Sequence, residues 1–447
     1  MQFILKIGLV LVLWRAATVQ AATTVTNIAA GYGHSLLLKS DGSLWGMGRN
    51  NLGELGDGTF STTNRPKQII SSNVTAIACG ADHSLFLKSG GSLWAMGYND
   101  YGQLGDGTFN MTNSPEQIVS SNVVAIAAGN AHSLFLKSDG SLWAMGWNGN
   151  GQLGDGSFNM TNRPEQIISN GVVAISGGSF HSLLLKSDGS LWAMGANGYG
   201  QLGDGTFSAT NRPKQIISSN VTAIACGSAH SLFLQADGSL WVMGDNESGQ
   251  LGDGSFDNST NPELIVSSNV VAIAAGFTHS LFLKSDGSLW GMGDNGSGQL
   301  GDGTFNMTNR PQQIVSIGVA TIAGGTGHNL LLKTNGSLWV IGRNDYGQLG
   351  DGFTGFNSSI PEQIFPSPRP SLTIGLSSTT NLQFKATCQF GGIFYLLSST
   401  NITQPLIQWT PARTNAIVAR GTNNYSASIT NGVKSSAGQE FYILYSP

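Results

Sequence analysis

The sequence predicts an all-β chain, a seven-bladed β-propeller carrying a small C-terminal β-sandwich-like domain. Three observations predict it. All seven histidines (His34, His83, His132, His181, His230, His279 and His328) lie 49 residues apart. Seven tryptophans, Trp45, Trp94, Trp143, Trp192, Trp241, Trp290 and Trp339, keep the same interval, and a period near 50 marks a solenoid or a propeller. Each copy also contains four short runs rich in Val, Ile, Leu, Phe and Trp, separated by Gly, Asn, Asp and Ser. Such runs read as strands and turns. No part of the repeats holds a 3.6-residue period long enough for a helix.

The chain opens with MQFILKIGLVLVLWRAATVQAA. A lysine precedes a short apolar run, and small residues end it at Ala21, so residues 1–21 are expected to be a cleaved secretory signal, too short in its apolar part to span a bilayer. Arg15, just after that run, sits awkwardly in this pattern. The predicted location is extracellular, periplasmic or cell-surface. Residues 22–366 form the predicted propeller, 367–372 a Pro-rich linker, and 373–447 a small antiparallel β-domain.

In the second copy the expected strands are Val74–Cys79, Ser84–Lys88, Ser92–Met96 and, after Pro115, Glu116–Val119. The first is Ala-rich and suits a crowded central axis. The second and third are apolar on both faces, as in sheets covered from both sides. Their connection is Ser-Asp-Gly-Ser in most copies, and Asp-Gly supplies the positive φ of a tight hairpin. The seventh copy runs through its own fourth strand, so each blade is continuous and the ring is expected to close by side-chain packing of blade seven on blade one.

Charged residues make up 10% of the chain against the usual quarter. A net charge of −4 offers no electrostatic case for nucleic acid or an anionic membrane. Three cysteines are too few for a disulfide framework. Cys79 and Cys226 occupy one repeat position three copies apart and are expected to be free and buried, while Cys388 lies outside the repeats.

Gly-x-x-His-Ser-Leu, then Asp-Gly-Ser-Leu-Trp-x-Met-Gly and Gly-Gln-Leu-Gly-Asp-Gly, recur over residues 25–366. This pattern resembles the regulator of chromosome condensation repeat family, including its secreted bacterial propellers. The resemblance implies a closed propeller that presents one face to another macromolecule. It also brings to mind nucleotide exchange on the Ran GTPase, which a secretion signal argues against. Beyond the repeats, Phe394 to Asn401 with Trp409 downstream resembles C-terminal modules of secreted bacterial proteins.

The repeated histidines could suggest a metal. Ring symmetry spreads them about an axis, however, whereas one ion needs three or four ligands at about 2.3 Å or less. They are read as structural, each fixing the turn after the first strand by a hydrogen bond to backbone. The Gly-Asp-Gly aspartates lack the calcium-loop spacing and are read as turn residues, and the tryptophans as blade core. No catalytic group, metal or other cofactor is expected.

A recognition site must break the sevenfold symmetry. The first-to-second and third-to-fourth connections share one face, and the copies differ there most. Aromatic side chains cluster in those loops, and Tyr98, Tyr101, Trp147, Phe180, Tyr199 and Tyr346 are the candidate partner-binding residues. The predicted function is a secreted, non-enzymatic, monomeric scaffold for a protein partner of unknown identity. A carbohydrate-binding propeller is the alternative, because aromatic and Asn-rich loops also suit sugars.

Overall fold

The computed structural model describes residues 23–365 and, beyond them, strands between Ser371 and Tyr445. The expected signal sequence, most of the linker and Cys388 lie outside the described residues. Thr23–Ser367 forms one compact unit. It holds seven four-stranded sheets, each an antiparallel meander of four consecutive strands, as expected. The blades run Val25–Ile70, Val74–Val119, Val123–Ile168, Val172–Ile217, Val221–Val266, Val270–Val315 and Val319–Phe365.

The fourth strand is longer than predicted. In blade 2 it runs Thr112–Val119 and contains Pro115 rather than starting after it. This is the outermost strand, paired with another strand on one side only, and an edge is where a sheet tolerates proline. The register also slips between Ala95 and Gly97, which accommodates the residue that cannot donate.

Each gap between blades is filled from both sides. Leu85, Leu87, Leu93 and Leu104 of blade 2 pack with Val123, Phe135 and Met145 of blade 3. A side chain of this kind stabilises the fold by about 2 kcal/mol when fully buried. The same layer joins the first and last blades, where Val25, Ile28, Leu37 and Met47 meet Leu330, Leu338, Val340 and Leu349. The tryptophans are half-buried rather than core. Four stack on the cross-strand phenylalanine, as Trp94 does on Phe86 at 6.1 Å. Six carry a lysine ammonium over the ring, 3.7 to 4.2 Å from its centre. An indole that lends one face to a cation cannot be wholly enclosed.

Three concentric sets of hydrogen bonds tie neighbouring blades. Nearest the axis, the residue after each first-strand glycine donates its amide to the next blade's loop, as Tyr32 does to Ala81 and Thr326 to Gly31. Outermost, the second glycine of each Gly-Asp-Gly donates to the next blade's fourth strand, from Gly58 to Asn113 round to Gly352 on Asn64.

Between them runs a circuit of histidines, every one fully buried. His34 Nε2 meets Ser84 Oγ at 3.0 Å, His83 meets Ser133 at 2.9 Å, and so on to His328 and Ser35 at 2.9 Å. The expected backbone acceptor is thus replaced by a side chain of the next blade. The serine hydroxyls spend their protons on backbone carbonyls, Ser133 on Gln103 at 2.7 Å for example, so the imidazole must donate. Blade 7 has Asn329 in the serine's place, and its Oδ1, which can only accept, fixes the same tautomer on His279. Each ring lies against the glycine three residues before it. A methyl group on Gly80 or Gly129 would overlap both the imidazole and the next blade's glycine carbonyl. Burial lowers every one of these pKa values, to about 3 for His34, His83, His181, His230 and His328 and about 4 for His132. The circuit is neutral at physiological pH.

Ring closure therefore uses side-chain packing plus three hydrogen bonds equivalent to those at every other junction. No strand is exchanged.

The C-terminal strands form sheets of their own. Ser371–Ser378, Asn381–Thr387 and Asn424–Ile429 make one, and Ile393–Ser399 pairs with Thr410–Pro411, Ile417–Val418 and Phe441–Tyr445. All pairings are antiparallel. The first of these strands was not anticipated from the sequence, and the packing a sandwich requires lies outside the described residues.

Candidate functional site: the loop-bearing face

Two kinds of connection make this face. The short one, between first and second strands, carries the glycine that the histidine packs on. The long one, between third and fourth strands, is held by an asparagine whose Nδ2 donates to the Gly-Asp-Gly carboxylate, as Asn50 does to Asp57 at 2.9 Å. The asparagine's Oδ1 accepts the amide of Leu55 at 2.9 Å. That carboxylate also caps the next turn through the Thr59 amide. Burial raises the Asp57 pKa, but the hydrogen bonds from Lys67, Thr59 and Asn50 outweigh it and the net shift is downward. The asparagine-to-aspartate bond recurs in all seven copies. The aspartates are loop braces, and the positions between them are free to vary.

The short connections surround a central well of about 460 Å³, lined by glycine backbone from every blade. Its variable side chains include Tyr32, Arg49, Asp82, Asn130, Phe277 and Tyr346. Cys79 and Cys226 line it as well, half-buried rather than fully buried. Burial pushes both thiols up, Cys226 to about 12, so neither is a ready nucleophile.

The well's most elaborate side is where blades 7, 1 and 2 meet. The Arg49 guanidinium lies 5.6 Å from the ring centres of both Tyr32 and Tyr346. It pairs with Asp82 at 2.5 Å and with Glu54 at 3.4 Å. Glu54 is fully buried where the other six copies have glutamine, and its Oε1 has no hydrogen-bond partner. Burial raises both carboxylates against the opposing charge of Arg49, so two acids share one cation. The Arg343 guanidinium also lies 5.6 Å from the Tyr32 ring centre and pairs with Asp345 at 2.5 Å.

The six candidate residues do not form one patch. Tyr346 belongs to the Arg49 cluster, packed over Gly33. Tyr98, Tyr101 and Trp147 form a second cluster, with ring centres 5.9 and 4.9 Å apart. The Tyr98 hydroxyl donates to Asp100 at 3.0 Å, and burial followed by that bond and charge pushes its pKa up to about 12. Phe180 and Tyr199, on blade 4, are each about two-fifths exposed. One geometric rule connects the clusters. The tyrosine two positions after the loop asparagine meets the residue just before that asparagine on the next blade: Tyr346 with Arg49, and Tyr101 with Trp147.

Three features were missed. Tyr32 and Arg49 are not among the candidates, although with Tyr346, Asp82 and Glu54 they build the cluster of most contacts. The Gln-to-Glu change at Glu54 is visible when the copies are aligned and marks where a loop arginine needs a partner. Finally, each Gly-Asp-Gly loop carries a phenylalanine left about half exposed, from Phe60 to Phe305, and blade 7, whose loop is one residue longer, exposes both Phe353 and Phe356.

Comparison with known proteins agrees with this architecture. A model of the RCC1-like domain matches residues 13–266, and models of the regulator of chromosome condensation (RCC1) repeat match residues 270–299, 319–348 and 286–332. No curated protein matches the sequence. Among solved structures, human WBSCR16 is similar at 27% identity, with a TM-score of 0.63 over 70% of this chain and 87% of that one. Prp20p from Saccharomyces cerevisiae, at 23% identity, has a TM-score of 0.66 over 79% and 90% of the two chains. Its structure was described together with binding to Gsp1p and histones, and a second structure of it is a complex with Kap60. Fold, repeat and family model converge, and the chain belongs to the RCC1-like family of seven-bladed propellers.

Proposed function

We propose that this protein is an exported, monomeric scaffold that binds a protein partner through the loop-bearing face and does no chemistry on it. The observation that carries this reading is the division of labour within the repeat. Apart from the half-exposed phenylalanine of each Gly-Asp-Gly loop, the histidines, loop asparagines and loop aspartates present in all seven copies hold blades or loops together. The aromatic and charged side chains that differ between copies gather at the well and the adjoining blade junctions. Aromatic residues and arginine are what a protein interface concentrates at its centre. A propeller face offers room for the roughly 800 Å² per partner of an ordinary complex. Protein binding by Prp20p is in keeping with this reading.

The test uses the full chain as bait in the surroundings of the cells that make it, beside a Trp147→Ala/Tyr199→Ala variant. A protein retained by the first and lost by the second identifies the partner and the face. Equal retention by both rejects the face. Release of the bound material by simple sugars instead establishes the carbohydrate reading.

A further inference from the structure

The partner's chemistry can be narrowed by comparing one blade junction with another. At the junction of blades 7 and 1, the chain supplies a complete cation site from its own residues. Arg49 lies against Tyr346 and Tyr32, with Asp82 and Glu54 as counter-charges. The same repeat positions at the junction of blades 4 and 5 are Tyr199, equivalent to Tyr346, and Asp245, equivalent to Arg49. Here the tyrosine is about two-fifths exposed, and the repeat position that holds Arg49 at the first junction holds an acid instead. Glu247 stands exposed two residues on, and the Asp245 carboxylate holds its amide at 3.1 Å.

The charge at the tips of the long loops has the same sign. Both arginines at those tips are already paired, Arg49 with Asp82 and Glu54, and Arg343 with Asp345, whereas the exposed Arg65, Arg163, Arg212 and Arg310 lie against the outer Gly-Asp-Gly loops. Asp100, Asp245, Glu247 and Asp294 make no ion pair among the described residues. Nor does any lysine or arginine of the described residues lie over Tyr98, Tyr101, Trp147 or Tyr199. Exposed aromatic rings beside unpaired carboxylates favour a lysine or arginine side chain, through ring quadrupole and charge together. Arg49 shows that this fold seats a guanidinium in such surroundings.

We propose that the loop-bearing face docks a cationic polypeptide segment, one of whose basic side chains lies against Tyr199 and Asp245. This rests on the face being the binding surface and adds the sign of what it binds. Tyr199 supplies the ring, Asp245 and Glu247 the charge, and the aromatic cluster on blades 2 and 3 accommodates the segment's apolar part.

The experiment titrates the full chain into two fluorescein-labelled peptides of equal length, one rich in arginine and glycine, the other with glutamate at every arginine, and reads anisotropy at low and at high salt. The arginine peptide is expected to bind, with an affinity that falls as salt rises, and the glutamate peptide is not. Asp245→Asn combined with Glu247→Gln keeps the amide acceptor at position 245 and should weaken binding roughly tenfold. Tyr199→Ala should weaken it severalfold. Asp139→Asn with Asp188→Asn at the opposite end changes net charge equally and should leave binding unchanged.

Equal weakening by both pairs of neutralising changes shows only non-specific attraction and overturns the proposal. Tighter binding of the glutamate peptide, or binding of neither, overturns it as well. The partner-capture comparison above uses no peptide, so the face itself stands or falls separately.

Discussion

At the tight-turn end of the ring, Asp41, Asp139, Asp188, Asp237 and Asp286 each accept the amide of the serine two residues on, and Asn335 does the same in blade 7. A lysine covers the adjoining tryptophan in six of the seven blades. At the loop-bearing end, the position before each loop asparagine is in turn Arg, Tyr, Trp, Ala, Asp, Asp and Arg. One end repeats a single solution in six of its seven blades, while the other spends the same backbone on five different side chains. The ends differ because a hairpin turn has few workable sequences, whereas a loop braced by its own Asn–Asp pair leaves its tip free.

This contrast can be broken most severely at the inter-blade hydrogen bonds. Gly129→Ala forces a methyl into the His132 ring and the Gly178 carbonyl. It should cost about 3 kcal/mol, read as a lower midpoint in denaturant. His132→Ala removes a buried ring and its bond to Ser182, with an expected loss of about 2–4 kcal/mol by the same measurement.

Acid attacks all seven junctions together. The unfolded chain takes up protons at its histidines near pH 6.5, but the folded chain refuses them until about pH 3 to 4. Stability should therefore be at full strength above pH 6.5 and fall steadily as pH drops from there toward 4. Midpoints measured across this range that stay level would contradict the buried, neutral circuit. Gly-Asp-Gly carboxylates held below their usual range, such as Asp57 and Asp155, add a further loss at lower pH still.

Smaller effects sharpen the comparison. Trp147→Ala gives up its edge contact with Tyr101 and should lower stability by only about 1 kcal/mol, yet reduce partner affinity at least about tenfold. Lys137→Ala, at the other end, uncovers Trp143 and should cost about 0.5 kcal/mol with no change in partner binding. Calorimetry of the two variants, alone and with partner, separates a binding end from a structural one.

Much of the fold was legible because hairpin chemistry and periodicity are local. Gly42, Gly140 and Gly189 take the positive φ that Asp-Gly announces. The histidine's partner was harder, because its bond leaves the blade. His83 reaches Ser133, and only a ring in which each copy abuts the next brings them together. Pro115 misplaced the start of its strand, since which strand forms a sheet's edge is decided by tertiary arrangement. The candidate site was legible as a face but not as clusters. Tyr346 belongs with Arg49, nearly three hundred residues earlier, because the ring closes. Tyr98 and Tyr101 could be grouped from the sequence, being three apart in one loop.

The seam between blades 7 and 1 has the same bonds as the other six, and both ends of the chain within the ring emerge at the tight-turn end, Val25 opposite Lys39 and Phe365 opposite Leu338. Where the gene begins its count is thus arbitrary to the folded ring. Its ends could be joined by a short polar linker and reopened at any hairpin, such as Asp188–Gly189, and each such permutant would inherit the same recognition face undisturbed.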